Sequence, residues 1–170
     1  MRVLALLLPL VVLAGCVGPP VVTPVPTPTA TPVFASDEEA LAAAEEAYAA
    51  YVAVEDAIAQ EGGLNPQRLK DLVTEDWLTH ETDSFAMLAA SGRRQLGETT
   101  LAHVELQQFD SYMLVAYFCV DFTGTSFVDA DGQPVDTNGP DKATIEAAFE
   151  VQPEGQLLLS RSELWSQSIC

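Results

Sequence analysis

The sequence predicts an α+β fold, and three observations carry that prediction. Apolar residues recur at helical spacing through the first part of the domain, from Ser36 onward. After Gly92 the pattern changes to strand-like alternation, which continues to Trp165. Turn signals at Asp131-Gly132, Asn138-Gly139-Pro140 and Pro153-Glu154-Gly155 separate those strands. Helices followed by a run of strands joined by short turns indicate α+β with an antiparallel sheet, not a parallel α/β sheet.

The elements follow in order. Ser36-Asp37-Glu38-Glu39 is a capping box, with Ser36 at the N-cap and Glu39 at N3. Leu41, Ala44, Tyr48, Tyr51, Val52 and Ile58 form one helical stripe through to about Gln60. Gly62-Gly63 ends that helix. Asn65-Pro66 predicts the start of a second helix, with Leu69, Leu72 and Val73 inward. A third, short helix is predicted from Asp83 to Ser91, with Phe85, Met87 and Leu88 inward and Gly92 as its stop. Leu101 to Phe109 reads as a strand, as does Tyr112 to Thr123. Both faces of the latter are apolar enough to be covered. Lys142 to Val151 alternates Ala143, Ile145, Ala147, Phe149 and Val151 against Thr144, Glu146, Ala148 and Glu150. Leu157 to Trp165 is the last strand.

Ahead of the domain lie two further blocks. Arg2 precedes an apolar run, Val3 to Ala14, that ends in Leu13-Ala14-Gly15-Cys16. A bilayer span needs about 20 residues, so this run is too short to cross one. It reads as a cleaved leader, residues 1–15. The motif resembles a bacterial lipoprotein signal, which implies that Cys16 is acylated and becomes the mature N-terminus. Two acyl chains there give a stable membrane anchor, where one is marginal. Residues 17–34 hold six prolines and no charge. Each proline fixes φ and removes a backbone donor, so polyproline II is the expected state. With Cys16, residues 16–35 are a Thr/Pro-rich tether, able to hold the domain roughly 55 Å from a membrane at about 3.1 Å per residue. Residues 36–170 are the domain.

The formal charge is −18, from 25 Asp+Glu against 7 Lys+Arg. Removing the leader takes Arg2 with it and makes the balance more acidic. Phosphate would be repelled, so nucleic acid is not an expected partner. Cationic ligands fit the charge better. Once Cys16 is acylated, Cys119 and Cys170 remain as an even pair in an oxidising compartment. They are predicted to form a disulfide that tethers the C-terminus, the alternative being two free thiols.

Element order, domain size and the long first helix resemble the NTF2-like (SnoaL-like) superfamily of α+β cones. In particular it resembles the NTF2-like lipoproteins of actinobacteria, in which such a motif and a Thr/Pro-rich linker precede the cone. Cys119 within Tyr117-Phe118-Cys119-Val120-Asp121, and Trp165 shortly before Cys170, complete that likeness. It implies N-terminal helices packed on a curved antiparallel sheet, with a pocket between the first helix and the concave face. It also implies a possible sheet-to-sheet homodimer.

Within that frame, Tyr48, Tyr51 and Glu55 are the expected pocket residues. Glu55 sits in the apolar stripe of the first helix, where a buried carboxylate would have a raised pKa and serve as a base. Its alternative place is the solvent at the sheet rim. Asp121 and Tyr117 share a strand face and form a second acid–base candidate, with a strand end and a core tyrosine as the simpler reading. Thr79-His80-Glu81-Thr82 reads as a connector, and His103 as mid-strand. Neither histidine has a partner at metal-ligand spacing. Asp129-Ala130-Asp131-Gly132 lacks the later ligands of a calcium loop and reads as a hairpin tip. No nucleophile elbow, Walker loop or dinucleotide fingerprint is present. No cofactor or metal is expected. The favoured expectation is an extracytoplasmic lipoprotein whose domain binds a small apolar or cationic ligand, or a partner, without chemistry. The alternative is a cone-type isomerase or hydrolase of small hydrophobic molecules.

Overall fold

A computed structural model describes residues 33–170 of the chain. The leader, Cys16 and the tether through residue 32 lie outside the described residues. Helix α1 spans Asp37–Gln60, and the Ser36 side chain accepts a hydrogen bond from the Glu39 amide. The Glu39 carboxylate reaches back one residue further than a capping box requires, to the Ala35 amide at 2.7 Å. The buried stripe runs through Ala40, Ala44, Tyr48, Tyr51, Val52, Ile58 and Ala59. Leu41, expected inward, is half-buried, and the small Ala40 takes its place against the core. After α1 the chain turns at Gly63, whose φ is +85°. A Cβ there would collide with the Phe85 carbonyl, so glycine is required on both counts.

The predicted second helix is a single 3-10 turn, Pro66–Leu69. Asn65 is left-handed, with φ +58°, and its side chain caps nothing. The chain leaves helical geometry because Leu72 to Thr74 run alongside the last strand. The Leu159 amide donates to the Leu72 carbonyl, and the Thr74 amide donates to the Leu159 carbonyl, both at 2.9 Å. This pairing covers part of an edge strand. Helix α2 spans Glu75–Ser91, starting well before the predicted Asp83. Thr74 caps it, Glu75 and Asp76 suit the positive end of its dipole, and left-handed Gly92 ends it. His80 and Glu81 are therefore helical, not in a connector. Met87, expected inward, is 69% exposed, while Phe85 is buried.

Strands β1 (Arg94–Leu96), β2 (Thr100–Phe109), β3 (Met113–Asp121), β4 (Ser126–Val128), β5 (Pro134–Val135), β6 (Lys142–Val151) and β7 (Leu157–Leu164) make two antiparallel sheets. The larger has the order β2-β3-β6-β7, and the smaller β1-β4-β5. The fold is α+β, with the helices packed on the inner face of the larger sheet. That face presents Leu114, Ala116, Phe118 and Val120 from β3, and Ile145, Ala147, Phe149 and Val151 from β6. Tyr48 of α1 stacks on Phe118 with ring centroids 4.2 Å apart, which seats the helix across the sheet. The Asp129 carboxylate accepts from the amides of Asp131 and Gln133, so this acidic stretch is the β4–β5 hairpin tip.

The outer face carries the C-terminal segment. Cys119 and Cys170 form a disulfide, with Cα atoms 5.1 Å apart. Trp165 stacks on Tyr117 at 5.0 Å. The Ile169 amide donates to Thr144 Oγ1 at 3.0 Å. No described helix is long and apolar enough to cross a membrane.

Candidate functional site

A cavity of about 360 Å³ lies between α1, α2 and the inner face of the sheet. Tyr48, Tyr51 and Glu55 of α1 line it, as do Trp77, His80 and Glu81 of α2. Phe122, Phe127, Ile145 and Ser162 close the sheet side. Helical spacing explains the convergence. Residues 48, 51, 52 and 55 share one face of α1, and residues 77, 80 and 81 share one face of α2. No lysine or arginine is among the lining residues.

The acids differ in their support. Glu81 is 6% exposed, and its Oε1 accepts a hydrogen bond from the Tyr51 hydroxyl at 3.1 Å. Burial raises its pKa, and the Tyr51 bond and nearby His80 pull it partly back. Asp56 is also buried, but it is spoken for: its carboxylate accepts from Gln95 Nε2, the Thr99 amide and Thr99 Oγ1 at 2.5–2.8 Å. Glu55 has no such partner. It is enclosed by protein yet open to the cavity. Burial, then the neighbouring Glu81 and Asp56 charges, push its pKa up to about 8. No hydrogen bond offsets that rise.

The Tyr51 hydroxyl is a hydrogen-bond donor, and neither cavity tyrosine is an acid. Tyr48 Oη and Ser162 Oγ are 3.0 Å apart. Burial raises both phenol pKa values, and the charges of Glu55 and Glu81 raise them further. His80 stacks on Trp77 with centroids 4.5 Å apart, at the exposed end of the cavity. The buried Trp77 Nε1 has no hydrogen-bond partner.

Tyr117 and Asp121 do not line this cavity. They project from the outer face of β3, the opposite side of the sheet. Asp121 pairs with Lys142 Nζ at 2.7 Å and accepts from the Thr123 amide and hydroxyl. The hydrogen bonds from Lys142 and Thr123 hold its carboxyl far below the usual carboxylate range, which suits an anchored strand end and not a proton carrier. His103 is exposed and lies 3.3 Å from Glu105. Among the described residues no cluster of His, Cys, Asp or Glu could hold a metal. Glu81 and Asp56 join the site although the sequence reading passed over them. A signal existed for each. Glu81 falls in the stripe of Trp77, Phe85 and Leu88, and Asp56 in the stripe of Val52 and Ala59.

No protein-family model and no curated protein matches this sequence. Among solved structures, the chain is similar to the intermembrane space region of the chloroplast protein ARC6. That match has a TM-score of 0.54 at 12% identity, covering 75% of this chain and 97% of that one. A structure from Catenulispora acidiphila matches with a TM-score of 0.46 at 12% identity, over 73% of this chain and 91% of that one. The first likeness shows a shared α+β fold.

Proposed function

We propose that this chain is an exported lipoprotein, anchored to the outer face of the cell membrane through acylated Cys16, whose NTF2-like domain binds a small organic cation without transforming it. The long helix laid across the inner face of the sheet, with a cavity between them, supports the NTF2-like assignment. The Leu13-Ala14-Gly15-Cys16 motif and the paired Cys119 and Cys170 support export.

One observation carries the ligand class. The Glu55 carboxyl stands in an aromatic-walled cavity beside Glu81, with no partner of its own. A cation supplies the missing charge. Its entry favours the ionised form of Glu55, so binding expels a proton. The aromatic side chains that line the cavity favour a cation over an anion there.

Titration calorimetry with tetramethylammonium tests the reading. Affinity should rise with pH up to about 8 and then level, as Glu55 ionises. Glu55→Gln should weaken binding about tenfold or more. Equal affinity in wild type and variant at every pH would remove Glu55 from the site. For the anchor, the Cys16→Ala chain should leave the membrane fraction, and mass spectrometry of the wild type should find acyl mass on Cys16.

One observation favours a second reading. A carboxylic acid with a pKa near 8, in reach of a cavity, is suited to general-base work. Glu55 would then abstract a proton from a small apolar substrate, with a cavity tyrosine as hydrogen-bond donor. Turnover of such a substrate, abolished in Glu55→Gln, would establish this reading over binding alone.

A further inference from the structure

The acidic cavity does not end at the helices. A second, outer groove of about 460 Å³ adjoins it, lined by Thr137, Gly139, Pro140, Asp141, Ala143 and Leu164. The two share Phe122, Thr125, Phe127 and Ile145, so they meet at these four residues, with the carboxylates on one side and the rim of the sheet on the other. The ends differ in character. The inner end holds Glu55 and Glu81, whereas the outer end sets Phe122, Phe127, Pro140, Ala143, Ile145 and Leu164 beside a single, exposed carboxylate, Asp141.

Leu164 marks the outer end. It pairs across the sheet with Ile145, so its side chain projects from the same inner face. Yet it is 74% exposed, a large apolar side chain at the mouth of an apolar groove. Leu164 is thereby open to contact with an apolar ligand segment lying in the groove.

We propose that the ligand is a single-chain amphiphilic amine, its cationic head at Glu55 and Glu81 and its alkyl tail along Phe122, Phe127, Ile145 and Leu164. This rests on the cation-binding reading and adds the tail. Charge complementarity orients the molecule. The acidic end accepts the head, and no lysine or arginine lines cavity or groove to accept a fatty-acid carboxylate instead. The reverse orientation would bury the tail against Glu55 and Glu81 and leave the head only the solvent-exposed Asp141.

The test is a chain-length series, run by calorimetry on residues 16–170 carrying Cys16→Ser so that no acyl chain or detergent competes. The probes are butyl-, hexyl- and octyl-trimethylammonium below their micelle concentrations, with tetramethylammonium and octanol as the head and tail controls. Each added methylene should tighten binding about three- to four-fold. Leu164→Ser and Pro140→Ser, which line the outer groove and not the cation cavity, should flatten that slope while leaving tetramethylammonium affinity unchanged. Affinities that do not grow with chain length, with tetramethylammonium still bound, would overturn the tail site and leave cation binding intact. Octanol binding as tightly as octyl-trimethylammonium, or no binding by any cation, would overturn the cation reading itself and this inference with it. A series that tightens equally in wild type and both variants would place the tail elsewhere.

Discussion

The Tyr51 hydroxyl of α1 donates a 3.1 Å hydrogen bond to Oε1 of Glu81 on α2, across the wall of the cavity. This one bond ties the two helices together at the site and satisfies a carboxylate that is 6% exposed. Tyr51→Phe keeps the ring and removes the donor. The Glu81 oxygen then loses its partner inside the protein, which costs about 1–3 kcal/mol. Urea unfolding should register that loss. The double variant Tyr51→Phe/Glu81→Gln should recover part of it, because the neutral amide tolerates burial better than an unpaired carboxylate. Additive losses in the two single variants and the pair would mean that the bond contributes nothing.

Glu55 predicts how stability depends on pH. Its carboxyl moves from 4.5 to about 8 on folding. Between those values the folded chain keeps a proton that the unfolded chain has lost. The contribution of this group is therefore most favourable below 4.5, declines as pH rises, and levels above about 8. The slope in that window is at most about 1.4 kcal/mol per pH unit. Glu55→Gln removes the dependence. Its Tm should match wild type near pH 4 and exceed it at pH 9, when both are measured by calorimetry without ligand. A variant that tracks wild type across the whole range would show that Glu55 is hydrated when folded.

Most of the large sheet was legible because its strands are long and alternate. The register confirms the sides read from alternation, with Phe118 opposite Ile145 toward the helices and Cys119 opposite Thr144 away from them. Strands β1, β4 and β5 were not legible. Two or three residues are too few to show a period; β4 and β5 pair across the local Asp131-Gly132 hairpin, but β1 joins them only through β4, with Gln95 opposite Phe127 more than thirty residues away. The first half of α2 escaped for a different reason. Glu75, Asp76, Thr79, His80, Glu81 and Thr82 read as loop chemistry, and Glu81 interrupts the apolar stripe that would have revealed the helix. That interruption is itself a residue of the cavity wall. In α1 the same kind of interruption at Glu55 is legible, because the stripe around it is longer.

Asp56 was obscured by its neighbour, and its partners lie far along the chain. It accepts from Gln95 and Thr99, joining α1 to the junction of β1 and β2. Asp56→Ala would strand the Gln95 amide and the Thr99 amide at once. Hydrogen bonds to a charged group contribute about 1.5–3 kcal/mol each, so the loss of these three should cost at least about 3 kcal/mol even if they are not additive. The damage should be local first. Hydrogen exchange should quicken at Gln95 to Thr100 before it does in β3 or β6. Uniform acceleration across the domain would mean that the junction is held by something else.

The C-terminal strap makes the last prediction. The Cys119–Cys170 bond closes a loop with a sequence separation of 51, which stabilises the fold by about 4 kcal/mol in the chain-entropy model. Cys170→Ser removes that constraint. The remaining contacts of the strap, Trp165 on Tyr117 and the Ile169 amide on Thr144, then hold an unanchored chain end, which frays. Trp165 emission should shift to the red while the environment of Trp77 stays unchanged, and the Tm should fall. Release of the strap also bares Tyr117 and Cys119 on the outer face of β3. A sheet-to-sheet partner would approach through that same face. Light scattering should therefore find more self-association in Cys170→Ser than in the disulfide-bonded chain. Because the strap and the cavity occupy opposite sides of β3, tetramethylammonium affinity should not change. A loss of cation binding in Cys170→Ser would show that the strap controls the shape of the cavity through the sheet.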